Sequence, residues 1–164
     1  MDAFIRDVEQ ADWPHVSAIF NHYITASFAA YNEQPVADYF FQERSAAHPE
    51  FPFLVAEVSG HVTGFAFLAP FHPAPTMKHS ATLTYFIHPG HTGRGIGQQF
   101  LDTLIARGQS LGISNFLAHI SSLNPGSLNF HMRNGFVECG RMVQVGIKKG
   151  KPFDMIWVQK LLSS

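Results

Sequence analysis

Between Ile87 and Gly97 the chain reads Ile87-His88-Pro89-Gly90-His91-Thr92-Gly93-Arg94-Gly95-Ile96-Gly97. A strand-like approach runs into a glycine-rich turn, and the turn runs into a helical pattern. Glycines at such a junction let an anion come close to the backbone, and the N–H groups at the helix start point towards it. Arg94 adds a cation to the same turn. Two familiar phosphate loops do not fit. A P-loop ends in Gly-Lys-Ser/Thr, whereas Gly97 is followed by Gln98. A dinucleotide fingerprint needs Gly-x-Gly-x-x-Gly after the first strand of a βαβ unit, whereas here the glycines are Gly93, Gly95 and Gly97, at mid-chain. Alone, the turn is equally compatible with a purely structural role.

The other residue types with chemical capacity are the ten histidines and one cysteine. His88 and His91 stand three apart at a strand end, which is no fixed ligand geometry, so no metal site is expected. His15, His48 and His61 read as surface residues; His22 and His119 read as core or cleft residues. Cys139, in the apolar surroundings of Phe136 and Val137, reads as an inert core thiol, and a lone cysteine forms no internal disulfide.

These side chains sit in a chain of 164 residues, a length that fits one domain with a sizeable core. The formal net charge of −1 and the absence of a basic run beyond Lys148, Lys149 and Lys151 argue against nucleic acid as a partner. No apolar run reaches the roughly 18 residues of a membrane span. The first ten residues carry Asp2, Asp7 and Glu9 and lack a signal-peptide apolar region, so the cytoplasm is the expected location.

The elements that must hold the turn follow from periodicity. Phe4 to Val8 predicts a strand. Asp12 is placed to cap a helix with Pro14 in its first turn and Val16, Ile19, Phe20, Tyr23 and Ile24 on one face. Pro35 is expected to open a second helix carrying Val36, Tyr39, Phe40 and Phe41, ending near His48. Phe53 to Val58 and Val62 to Phe71 form a hairpin about Ser59–Gly60. Pro70, Pro73 and Pro75 stiffen the loop before a strand at Thr82 to His88. A helix from Gly97 to Leu111 stops at Gly112. A strand at Phe116 to Ser121, a short helix from Pro125 to Asn134, and strands at Phe136 to Val145 and Phe153 to Leu161 close the chain. The order β-α-α-β-β-β-α-β-α-β-β predicts an α/β (α+β) fold with a mixed sheet flanked by helices.

Residues 87–97 resemble the acetyl-CoA pyrophosphate loop of the GNAT superfamily, Gln/Arg-x-x-Gly-x-Gly/Ala, with Thr92 at the Gln/Arg position followed by Gly95 and Gly97. Five further stretches resemble its phosphinothricin or methionine sulfoximine acetyltransferase subgroup. They are Asn21-His22; Asn32-Glu33-Gln34-Pro35-Val36; Pro70-Phe71-His72-Pro73-Ala74-Pro75; Asn124-x-x-Ser127-x-x-x-His131-x-x-x-Gly135-Phe136; and Val145-Gly146-x-Lys148-x-Gly150-x-x-x-Asp154-Met155. The resemblance implies a mostly antiparallel sheet of about seven strands with four helices, and acetyl-CoA as co-substrate. It implies a strand at Tyr85, Phe86 and Ile87 that splays from Phe116–Ser121 to receive the pantetheine arm. Thr92, Gly93, Arg94, Gly95, Ile96 and Gly97 would hold the pyrophosphate, and Asn124, Ser127 and His131 would lie near the cofactor. A small-molecule amine as acceptor and a homodimer are further implications, the dimer also favoured by the aromatic load.

The chain departs from that pattern at positions that bear on chemistry. Thr82 stands where the family has a glutamate base; His79, or a water relay to a histidine, is the candidate substitute, and His131, which the resemblance puts near the cofactor sulfur, is a candidate acid. His72, Ala74 and Lys78 stand where the subgroup favours arginines. Phe28, Phe71 and Tyr85 suggest a closed aromatic substrate pocket with His72 and Lys78 at its rim. An amine of pKa near 10.4 lies about 3 units above neutrality, so its reactive form costs about 4–5 kcal/mol, against about 1–2 kcal/mol for an α-amine of pKa ~8. A protein lacking a carboxylate base therefore suits the second kind better. Two alternatives to an enzyme for amino-acid-like amines remain at this level: a CoA-binding protein without catalysis, and a protein acetyltransferase. Lys148, Gly150 and Asp154 are read either as subgroup residues or as a structural lysine–aspartate pair in the closing hairpin.

Overall fold

The computed structural model describes residues 2–163. Its elements are β1 (Phe4–Asp7), α1 (Trp13–Ala26), α2 (Phe40–Ala47), β2 (Phe53–Val58), β3 (His61–Pro70), β4 (Ser80–Ile87), α3 (Ile96–Ser110), β5 (Asn115–Ser121), α4 (Pro125–Arg133), β6 (Val137–Lys148) and β7 (Lys151–Leu161). The seven strands form one sheet in the order β1-β2-β3-β4-β5-β7-β6. Every neighbouring pair is antiparallel except β4 and β5. This is the mixed seven-stranded, four-helix fold that the sequence predicts.

Alternation along the strands sends side chains to two faces. On one face α3 buries Ile96, Phe100, Leu101 and Leu104 over Leu54, Ala66, Leu68 and Leu83. On the other, α1 and α2 bury Val16, Ile19, Phe20, Ile24 and Phe41 over Phe53, Val55 and Phe65. Gly108 lets α3 lie flush on the sheet: a Cβ there would come within 2.6 Å of the Phe116 ring.

The structure corrects four local expectations. Asp12 sits at the start of α1 but does not cap it with its side chain. Its carboxylate instead accepts Arg6 Nη1 at 2.7 Å and the Glu9 N–H at 2.7 Å, and these bonds hold it well below the usual carboxylate range. The second helix starts at Phe40, not Pro35. The Asn21 amide takes the Val36 N–H (2.7 Å) and donates to the Val36 carbonyl (3.0 Å), which removes both groups from helical bonding. Cys139 is exposed rather than buried, because β6 is the outermost strand and its register shifts beside that residue. Asp154 pairs with Arg141 (2.8 Å) and the Gln144 N–H (2.7 Å), not with a lysine; it fastens the irregular turn of β6 where Gln144 has φ 51°.

Candidate active site

The parallel ladder between β4 and β5 is short. It runs only from Ser80↔Asn115 to Thr82↔Leu117. Beyond Thr82, β4 continues to Ile87 on its β3 side, and β5 continues to Ser121 on its β7 side. The strands therefore splay, and the edge of β4 from Leu83 to Ile87 that faces β5 has no ladder partner there. Unpaired strand groups of this kind are ready to bond an extended ligand.

The opening leads into a cleft of about 340 Å³ between the sheet and the segment joining α1 to α2. Thr82, Tyr85, Phe86, Asn124, Ser127 and His131 all line it, so these sequence-predicted residues come together. Phe28, Phe71, His72, Lys78 and His79 do not line it. Phe71 packs edge-on against Trp157, and His72 Nδ1 accepts the Ala74 N–H within its own turn. Lys78 and His79 are exposed before β4, and Phe28 lies under Lys151 Nζ at 5.6 Å. The proline-rich loop between β3 and β4 carries Phe71, His72, Lys78 and His79 outside the opening, and Phe28 follows α1.

His131 is the most enclosed titratable group of the cleft, at 2% exposure. Its Nδ1 lies 2.7 Å from the Ser127 carbonyl oxygen, so that nitrogen carries the proton and donates. Its Nε2 then accepts the Tyr85 hydroxyl. Burial pushes the His131 pKa down, against the smaller opposite pull of the Ser127 carbonyl, and burial pushes the Tyr85 pKa far up. Both groups are neutral near pH 7. Asn124 caps α4 by accepting the Ser127 N–H. Thr82 Oγ1 faces the Ala69 carbonyl at 3.4 Å.

The glycine-rich turn lies at the far end of β4. Gly93 (φ 74°) and Gly95 (φ 81°) adopt the left-handed conformation that favours glycine, and a Cβ at either would meet nothing within 4 Å. The turn thus presents bare backbone to open space. Because α3 begins at Ile96, the N–H groups of its first turn lack intrahelical acceptors. The Thr92 hydroxyl bonds the Pro89 carbonyl (3.1 Å) and closes the turn. Arg94 is exposed and, among the described residues, has no carboxylate within ion-pair distance. No acidic residue lies between Ile87 and Gln98. A polyanionic diphosphate therefore fits this turn, and an extended arm fits the open β4 edge.

A model of the Acetyltransferase (GNAT) family matches residues 16–136. The chain belongs to the GNAT acetyltransferase family. It is an N-acetyltransferase with acetyl-CoA as co-substrate. An L-methionine sulfoximine/L-methionine sulfone acetyltransferase of Pseudomonas paraeruginosa is 34% identical over 97% of this chain and 94% of that protein. A GNAT superfamily phosphinothricin acetyltransferase from Sinorhizobium meliloti, solved in complex with AcCoA, superposes with a TM-score of 0.92 at 28% identity, over 99% of this chain and 90% of the other. A ribosomal-protein-alanine N-acetyltransferase from Brucella melitensis gives 0.89 at 34% identity, over 97% and 99%.

Arg44 and Tyr31, both in the cleft of this GNAT chain, escaped the sequence reading, which had His119 only as a core or cleft residue. Arg44 lines the cleft with its guanidinium 4.3 Å from the centre of the Phe40 ring, one helical turn earlier on α2. Spacing of i, i+4 after an aromatic was the available signal. Tyr31 and His119 face each other across the cleft mouth at 3.1 Å. The closing hairpin positions Tyr31: Lys148 Nζ, 1% exposed as a residue, donates to the carbonyls of Ser27 (2.8 Å) and Ala30 (2.6 Å). Lys149 adds its N–H to Glu33 (2.9 Å) and its ammonium to the Thr25 carbonyl.

Proposed function

We propose that this N-acetyltransferase acts on the primary amine of a small amino-acid-like molecule, by direct attack in a ternary complex. The observation that carries the reading is the make-up of the cleft. Arg44 is the one permanently charged side chain among its described lining residues, and no aspartate or glutamate lines it. A cation-rich acceptor such as a polyamine would find no counter-charge there. An acceptor with a carboxylate meets a guanidinium fork suited to it. The names of the methionine sulfoximine and phosphinothricin relatives support the same class of acceptor.

The layout of the cleft supports a ternary complex. α3 and α4 pack on one face of the sheet and α1 and α2 on the other, and residues of both faces line the cleft. Acetyl-CoA supplies an activated acyl carbon. The chain supplies the turn at Gly93–Gly97 for its diphosphate, the free β4 edge for its arm, and the splay that connects the faces. Holding both partners in register accounts for much of the rate in such a reaction. This chemistry also suits the cytoplasm, as does a chain with one cysteine.

The similarity to a ribosomal-protein-alanine acetyltransferase favours a second reading, acetylation of a protein α-amine. Release of CoA thiol from acetyl-CoA separates the readings, measured with L-amino acids and their analogues, matched amines lacking the carboxylate, polyamines and an alanine-initiated peptide. Turnover confined to the carboxylate-bearing small amines is expected. Preference for the peptide would favour the second reading. Acetyl-CoA binding without turnover of any amine would leave a binding protein.

The partner in assembly is proposed to be a second copy of the chain. β6 is the free outer edge of the sheet, and Val137, Met142, Val143, Val145 and Ile147 are exposed along it, Val143 and Ile147 at 70%. A long edge strand with apolar side chains templates further pairing.

A further inference from the structure

We propose that His119 is the general base that deprotonates the acceptor ammonium, in the role left open by Thr82. This inference rests on the amine-acetylation reading above. It starts from register. Thr82 and Leu117 are partners in the last rung of the β4–β5 ladder, so they share a face, and His119 lies two residues beyond Leu117 on that same face. Thr82 and His119 both line the cleft.

The other candidates are spent or misplaced. The Thr82 hydroxyl faces the Ala69 carbonyl and holds no proton-accepting group near neutrality. His131 is engaged at both nitrogens, by Ser127 and by Tyr85. His72 and His79 lie outside the cleft. His119 is the remaining histidine among the described residues that line the cleft. Its Nδ1 lies 3.1 Å from the Tyr31 hydroxyl, and among the described residues its Nε2 has no hydrogen-bond partner. The Tyr31 ring stacks on the imidazole at 5.5 Å and 21°, and Trp157 flanks it at 5.0 Å, so the ring is held in place. The base role requires Nδ1–H to donate to the Tyr31 oxygen, which leaves the lone pair on Nε2.

The surroundings keep that lone pair available. His119 is exposed at one edge, yet Tyr31 and Trp157 strip water from the rest of the ring, and this desolvation lowers its pKa. The titratable or charged groups facing the cleft are Tyr31 from the α1–α2 segment, Arg44 from α2, Tyr85 from β4 and His131 from α4. None is a carboxylate that would raise the His119 pKa.

In the reaction, Nε2 takes one proton from the ammonium and frees the nitrogen lone pair. That nitrogen bonds the thioester carbon, the C–S bond breaks, and the electron pair leaves with sulfur. The second amine proton ends on the thiolate. The His119 proton returns to water at the exposed edge, so the sum is amide, CoA thiol and one proton.

The test is the pH profile of kcat/KM for the best amine of the panel, in the unmodified chain, His119→Ala and His119→Gln, with acetyl-CoA affinity from calorimetry as the control for folding. The unmodified chain should show an acid limb below the ordinary histidine value of about 6.5, then a plateau. Both variants should bind acetyl-CoA normally and lose ~10²–10⁴-fold at neutral pH, with the loss shrinking as the solution deprotonates the amine at high pH. A loss equal at every pH would make His119 merely structural. An undiminished variant, or no acid limb in the unmodified chain, would overturn the proposal and leave the acetyltransferase reading intact. No amine turnover by the unmodified chain would overturn both.

Discussion

The Tyr85–His131 pair shows how neighbours fix a proton. The Ser127 carbonyl requires Nδ1–H, which turns Nε2 into an acceptor for Tyr85, and burial keeps both groups uncharged. The sequence placed His131 near the cofactor through a motif, but its tautomer depended on an i−4 carbonyl and a residue 46 positions away. His119 was legible only as a core or cleft histidine, since its meaning comes from Tyr31 and Trp157, which reach it from two other elements. Arg44 was illegible for a similar reason. On a helix it reads as a solvated cation, and only the fold turns that face of α2 towards the opening. Cys139 was misjudged because local apolar neighbours do not reveal an edge strand.

At the scale of elements, strands with strong alternation were legible, as was the β2–β3 hairpin through Ser59–Gly60. The Lys149–Gly150 turn was not, since the strands were expected at Phe136 to Val145 and Phe153 to Leu161 while β6 runs on to Lys148. Ser59–Gly60 and Lys149–Gly150 adopt the positive φ pairs that two-residue hairpins need. The start of α2 was not, because a side chain 15 positions earlier decides it. The splay of β4 from β5 was implied only by resemblance; physically it reflects a ladder of three rungs between two longer strands. The glycine turn allows a clean test of diphosphate binding. Gly95→Ala and Gly95→Glu both strain a φ of 81°, at about 1–2 kcal/mol. Only Glu places a negative charge beside the bare N–H groups. Calorimetry should therefore show acetyl-CoA affinity falling at least about tenfold further in Gly95→Glu than in Gly95→Ala. Equal affinities in the two folded variants would remove the turn from the binding site.

For the whole molecule, the sheet order puts the apolar β6 edge at one end and the cleft near the middle, so the edge proposed for pairing lies apart from the cleft. Light scattering at micromolar concentration should give twice the chain mass, and Val143→Lys with Ile147→Lys should halve it. A monomer mass for the unmodified chain would dismiss the dimer.

In the proposed function the cleft selects an amine by the carboxylate next to it. The most direct measurement is kcat/KM for an L-amino acid and for the matching amine without its carboxylate, in the unmodified chain and in Arg44→Gln. A charge-assisted bond contributes about 1.5–3 kcal/mol. The amino acid should therefore be favoured about ten- to a hundredfold, and Arg44→Gln should erase that preference mainly through KM while leaving the plain amine unchanged. Equal use of both amines by the unmodified chain, or a preference that survives the loss of Arg44, would contradict it.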